Sequence, residues 1–210
     1  MAQSHVNAVV VGAGAAGGIV AKELATAGLS VVLLERGRWQ AFDDHDHDEL
    51  ISQRTTVLGN AFGPDDERHR RVVQVGDRFV TVLPSEGAYN NNAACVGGGT
   101  LSYGAMAWRF MEQDFRMRST YGCPEGSTLE DWPIGYGDLE PFYEKAEQEV
   151  GVAGDAAANP FQAPRRKPYP MPPFAYNTEG RLLEASARKL GFHPFPIPML
   201  RNSVPRGGRA

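Results

Sequence analysis

Apolar residues in this chain come first as short unbroken runs and later at helical spacing, and that order predicts the elements. His5 to Val11 is short, rich in valine and ended by glycine, the pattern of a buried strand. From Ala15 to Ala27 the apolar positions Ile19, Val20, Leu24 and Ala27 recur at helical spacing, with Gly28 as the stop. Leu29 to Glu35 is apolar almost throughout, as expected of a parallel strand covered on both faces. Strand, helix and strand fill about 30 residues, the size of one βαβ unit.

The pattern then changes. Trp39 to Glu67 is polar, irregular and acidic, and Arg71 to Leu83 alternates around Gly76-Asp77, which predicts an antiparallel hairpin. Asn90 to Gly104 is too rich in glycine and asparagine for a helix interior. Asp138 to Val150 reads as a helix with Leu139, Phe142, Ala146 and Val150 on one side and Pro141 in its first turn. A second helix over Thr178 to Leu190 has Thr178 as its cap and Leu182, Leu183, Ala187 and Leu190 inward. A proline-rich surface connector, Asn159 to Phe174, separates the two.

Gly12-Ala13-Gly14-Ala15-Ala16-Gly17 lies where the first strand meets the first helix and forms a GxGxxG fingerprint. Gly12 permits the tight turn, Gly14 admits a pyrophosphate against the backbone, and Gly17 lets the helix pack on the strand. The helix start, including Ala15 and Ala16, offers unpaired N–H groups to phosphates. Glu35, with Arg36 beside it, ends the next strand 23 residues after Gly12, placed to accept hydrogen bonds from an adenosine ribose. These residues predict a Rossmann-like α/β fold but do not separate FAD from NAD. Only two strands of the buried parallel type are visible, so the sheet is expected to be completed by residues outside this chain or by a partner. The tail Arg206 to Ala210 reads as a break inside a loop. The expected division is a first FAD-binding part over residues 1–125 and the start of a cap or substrate-side region over 126–210.

Val96-Gly97-Gly98-Gly99-Thr100, continuing through Leu101 to Trp108-Arg109, resembles the first signature of the glucose-methanol-choline (GMC) oxidoreductases. The likeness continues in Asp131-Trp132-Pro133-Ile134, in Leu139-Glu140-Pro141-Phe142-Tyr143 and in Gly191-Phe192-His193-Pro194, and is strongest toward the gluconate, sorbose and glucose dehydrogenase branch. Tyr103 stands where many relatives carry asparagine or tryptophan, and Gly99 where serine is common. The resemblance implies FAD as cofactor, with Val96 to Thr100 passing the flavin. It also implies hydride transfer from an alcohol carbon to the flavin, with a histidine taking the hydroxyl proton. That histidine lies near the C-terminus of a longer chain in the family, and no segment here matches it, so the catalytic residue is unknown. The expected substrate is a small alcohol, sugar or polyol. An NAD-dependent dehydrogenase, and an inactive remnant or subunit of a split flavoprotein, stand as alternatives.

Composition adds exclusions. A formal charge of −4 gives no electrostatic reason to expect nucleic acid or an anionic membrane. Cys95 and Cys123 form no CxxC pair, and no metal site is expected. His45, Asp46, His47 and Asp48 read as a solvated acidic loop. No apolar run approaches the roughly 20 residues of a membrane span. Residues 1–7 lack a basic start, so a cytoplasmic location is the expectation. His193 reads as structural, Trp108 and Trp132 as packing groups, and Cys95 as a buried thiol beside the glycine-rich loop.

Overall fold

Ala8–Val11 forms strand β1 and Val31–Leu34 forms β2, paired in parallel with Ala8 opposite Val31 and Val11 opposite Leu34. They are joined by helix α1, Ala15–Thr26. The helix ends where Gly28 turns left-handed (φ 85°) and its amide bonds the Ala25 carbonyl, a reversal that a Cβ would oppose. Side chains of Asn7 and Ser30, 2.7 Å apart, tie together the entrances of the two strands. The computed structural model describes residues 5–41, 63–84, 86, 93–101 and 103–208. His45 to Asp48 and Asn90 therefore lie outside the described residues.

The chain forms two compact units, residues 1–104 and 105–210. In the first, β3 (Arg71–Val75) and β4 (Arg78–Val82) make the expected hairpin, with Val75 opposite Arg78 across Gly76-Asp77. They form their own sheet, separate from β1–β2. Among the described residues the parallel sheet has two strands, and its apolar faces are open. Val11 is 82% exposed, Leu34 is 50% exposed, and α1 buries none of its residues. A lone pair of strands is marginal in water, so this unit has large apolar surfaces in need of a neighbour.

The second unit is held differently. It contains α2 (Met117–Tyr121), α3 (Tyr136–Ala146) and α4 (Thr178–Lys189). Phe115, Tyr136 and Ala163 are buried together, with Ile134, Leu139 and Tyr143 packed against them. Ala153, fully buried, pairs with both Met171 and Met199, and Met199 also pairs with Met106. The region from Asn159 to Phe174 is thus not a plain surface connector, because Ala163 and Met171 carry part of the core.

Four local expectations are corrected. α3 starts at Tyr136, since the Asp138 carboxylate accepts from the Gly135 amide at 2.8 Å; Pro141 consequently sits beyond the first turn. A wider π-type turn over Glu147–Gly151 continues it, and Phe142 on α3 is exposed, not inward. The cap of α4 is Asn177, not Thr178: its side-chain oxygen accepts from the Gly180 amide at 2.8 Å. Leu182, Leu183 and Leu190 are exposed rather than packed inward. No helix among the described residues is long and apolar enough to cross a membrane.

Candidate dinucleotide site

The chain leaves β1 at Val11 and turns at Gly12, whose φ of 98° lies in the region that favours glycine. Gly14 then caps α1 without any side-chain hydrogen bond, leaving first-turn N–H groups for a ligand. A Cβ at Gly17 would lie 1.8 Å from the Gly12 carbonyl oxygen, so the turn and the helix meet at a distance only glycine allows. At Gly14 the contrary holds. A Cβ there would meet nothing within 4 Å, so the space beside its backbone is open to a ligand.

The second glycine segment reaches this turn. The Gly97 amide donates to the Ala13 carbonyl at 2.8 Å, joining residues 84 apart in sequence. Gly98 abuts Gly14 so closely that a Cβ at Gly98 would lie 3.2 Å from the Gly14 Cα. Gly98 to Leu101 then form a single 3-10 turn, closed by Thr100 bonding the Gly97 carbonyl. Val96 is anchored through its amide to the Arg38 carbonyl at 3.0 Å. Gly99 would carry a Cβ into open space. Sequence motifs far apart are therefore one backbone surface in the fold.

Glu35 stands across the gap. Its carboxylate accepts from the Ala13 and Gly37 amides, each at 2.7 Å. The Ala13 bond, then the Gly37 bond, hold the carboxyl below its ordinary range against a smaller opposing effect of burial, so it is ionised at neutral pH. Each oxygen keeps a lone pair for a ribose hydroxyl. A cavity of about 470 Å³ opens between Gly12, Glu35, Arg36, Cys95 and Gly98, at the carboxyl ends of the parallel strands. Ligands of doubly wound sheets bind at such strand ends. These residues suit a dinucleotide: a fixed carboxylate acceptor lines the cleft, and the open backbone at Gly14 and the free helix-start donors follow directly on Gly12 at its edge.

Sequence reasoning missed several members of this site. Ala13 donates to Glu35 and accepts from Gly97, a role of its main chain that its side chain does not signal. Gly37 packs so tightly on Ala94-Cys95 that a Cβ would lie 2.2 Å from their backbone; its place two residues after the strand-end acid was the available signal. Cys95 is buried, its thiol pushed up by burial and directed to the Gly98 carbonyl at 3.7 Å. Tyr103 keeps a buried hydroxyl without a partner among the described residues.

The second unit holds a buried charge cluster instead of a cradle. Arg109 makes two 2.8 Å hydrogen bonds to Glu147 and a third, at 2.9 Å, to the Tyr136 hydroxyl. Arg165 pairs with the same Glu147, and Glu140 pairs with Arg166 at 2.9 Å. Burial alone would lower the Arg109 pKa, but Glu147 and Tyr136 more than reverse it, so the guanidinium stays charged. Burial also opposes ionisation of Glu140, yet the Arg166 amide and the Arg109 and Arg166 charges hold its carboxyl below the ordinary range. Arg109, part of a matched segment, is thus engaged in folding contacts. Trp108 packs edge-on against Phe195, Trp132 against Phe115, and His193 against Phe161.

The family described as FAD binding domain matches residues 5–91. The chain is 31% identical to the fructose dehydrogenase large subunit of Gluconobacter japonicus, over 97% of this chain and 38% of that protein. It is also 31% identical to the gluconate 2-dehydrogenase flavoprotein of Pantoea cypripedii, over 95% of this chain and 36% of that protein. Paromamine 6'-oxidase of Streptomyces fradiae is 28% identical over 97% of this chain and 32% of its own length. The chain spans about a third of the length of these relatives. The dinucleotide left open by the fingerprint is therefore FAD, and the chain is similar, over nearly its whole length, to part of two dehydrogenases, one of them named a flavoprotein, and of an oxidase.

Proposed function

We propose that this chain is the FAD-binding portion of a GMC-type oxidoreductase acting on CH–OH groups of alcohols, sugars or polyols. The observation that carries the reading is the Gly97–Ala13 hydrogen bond, which brings the loop after Val96 onto the GxGxxG turn. Two glycine segments forming one surface suit a ligand longer than a mononucleotide. Bound FAD supplies a two-electron acceptor for oxidation of an alcohol carbon. The chain's own part is positioning. Gly14, Ala15 and Ala16 hold the pyrophosphate, Gly12 and Gly17 shape the turn that presents them, Glu35 and Arg36 face the adenosine, and Val96 to Thr100 line the side toward the flavin.

The open faces of β1, β2 and α1 support a further element of the proposal: more sheet-forming chain, from the same protein or a complementing subunit, covers them. The acid–base group then comes from that added part. The test is turnover of sugars, polyols and simple alcohols with an artificial electron acceptor, read together with flavin content. Residues 1–210 alone should be inactive and hold FAD weakly, and the complete protein should be yellow and active. Turnover by residues 1–210 alone would place the proton acceptor within them, and a colourless complete protein would overturn the reading.

A further inference from the structure

A second cavity in the first unit, about 320 Å³, is lined by Arg36, Arg38, Asp65, Glu67, Arg68 and His69 among others. His69 is 7% exposed. Its Nδ1 accepts from the Asp65 amide at 3.0 Å, which places the ring proton on Nε2. That Nε2 is buried and has no partner among the described residues. A buried donor without an acceptor costs about 1–3 kcal/mol, so a group that supplies an acceptor there is favoured. Arg36 lines this cavity and also the one at Gly12 and Glu35, so the two lie side by side next to the Glu35 strand end.

We propose that this cavity receives the purine base of the dinucleotide, with the His69 Nε2–H donating to a ring nitrogen. The inference rests on the FAD reading above and names the residue that recognises its adenine. The chemistry of the lining favours a base over a bare anion. Arg36, Arg38 and Arg68 outnumber Asp65 and Glu67, so charge alone does not select against a phosphate; the carboxylates, however, offer acceptors to an exocyclic amine, which a phosphate lacks. Arg36 and Arg38 offer planar guanidinium faces on which a purine stacks. Arg38 is fixed for this by its backbone, bridged to Cys95 and bonded to the Val96 amide.

Calorimetry on the flavin-stripped complete protein, with ADP and with inorganic pyrophosphate as probes, tests the assignment. His69→Ala should weaken ADP binding by about threefold to tenfold, the scale of one net hydrogen bond, and leave pyrophosphate unchanged. His69→Gln, whose amide donor lies near the position of Nε2, should restore most of the loss. In the unsubstituted protein the His69 imidazole NMR resonances should move on addition of ADP and not of pyrophosphate, a readout that does not depend on a variant folding. Unchanged ADP affinity in His69→Ala, or unmoved resonances, would remove His69 from the site. Equal losses for both probes would make the cavity an anion site and overturn the purine assignment. A protein that binds neither ADP nor FAD would instead overturn the FAD reading on which the inference stands.

Discussion

The candidate site of the first unit is made of main chain, and the interior of the second is made of charged side chains. Gly17 and Gly98 bring helix, turn and loop to distances that a Cβ would prevent, while Gly12 supplies the left-handed turn and Gly14 leaves open space beside its backbone. Arg109, Glu147, Arg165 and Tyr136 instead satisfy one another inside a protein interior. The first arrangement leaves donors and space unused, which suits a ligand. The second leaves no formal charge of Glu147 unmatched, which suits a structural role. An arginine in a segment shared with a flavoprotein family is therefore not evidence of flavin contact, and here it is a strut.

The largest expected effect tests the strut. Glu147→Ala would leave Arg109 and Arg165 buried without their shared partner and should destabilise the second unit by about 3–5 kcal/mol. Urea unfolding followed by tryptophan fluorescence reads this, since Trp108 and Trp132 both belong to that unit. A loss below about 1 kcal/mol would mean that the cluster behaves as solvent-exposed pairs do. Gly17→Ala should follow, at about 3 kcal/mol or more, because the added methyl overlaps the Gly12 carbonyl and must move β1 or α1. Its melting temperature should fall with or without added FAD, and an unchanged one would refute the close approach. Asn177→Ala should cost about 1 kcal/mol through loss of the α4 cap, whereas Thr178→Ala should cost less. Equal effects from the two would return the cap to Thr178.

Much of the first unit was legible in the sequence because glycine spacing is a direct statement about backbone geometry. The βαβ unit, the Gly76-Asp77 hairpin and the strand-end position of Glu35 all follow from short-range pattern. The contact between the two glycine segments did not, because the fingerprint says nothing of which later loop returns to it. Ala13, Gly37 and His69 were invisible for a related reason: they act through main chain or burial, and neither has a residue-type signature. The second unit was read less well. Helical spacing placed Phe142, Leu182, Leu183 and Leu190 inward, yet periodicity reports an apolar face and not whether anything within the described residues covers it. The charge cluster escaped notice because arginine and glutamate are abundant at surfaces, and only the fold shows four of them converging.

The central claim is that the open backbone at Gly14 is where FAD lies. Gly14→Val separates ligand from fold, since a Cβ there meets no protein atom within 4 Å, unlike one at Gly17. Flavin stoichiometry, read from visible absorbance of the complete protein, should fall to near zero in Gly14→Val while its melting temperature without ligand stays close to that of the unsubstituted flavin-free protein. Full flavin content in Gly14→Val would contradict the account directly, because no dinucleotide could then be resting against that backbone.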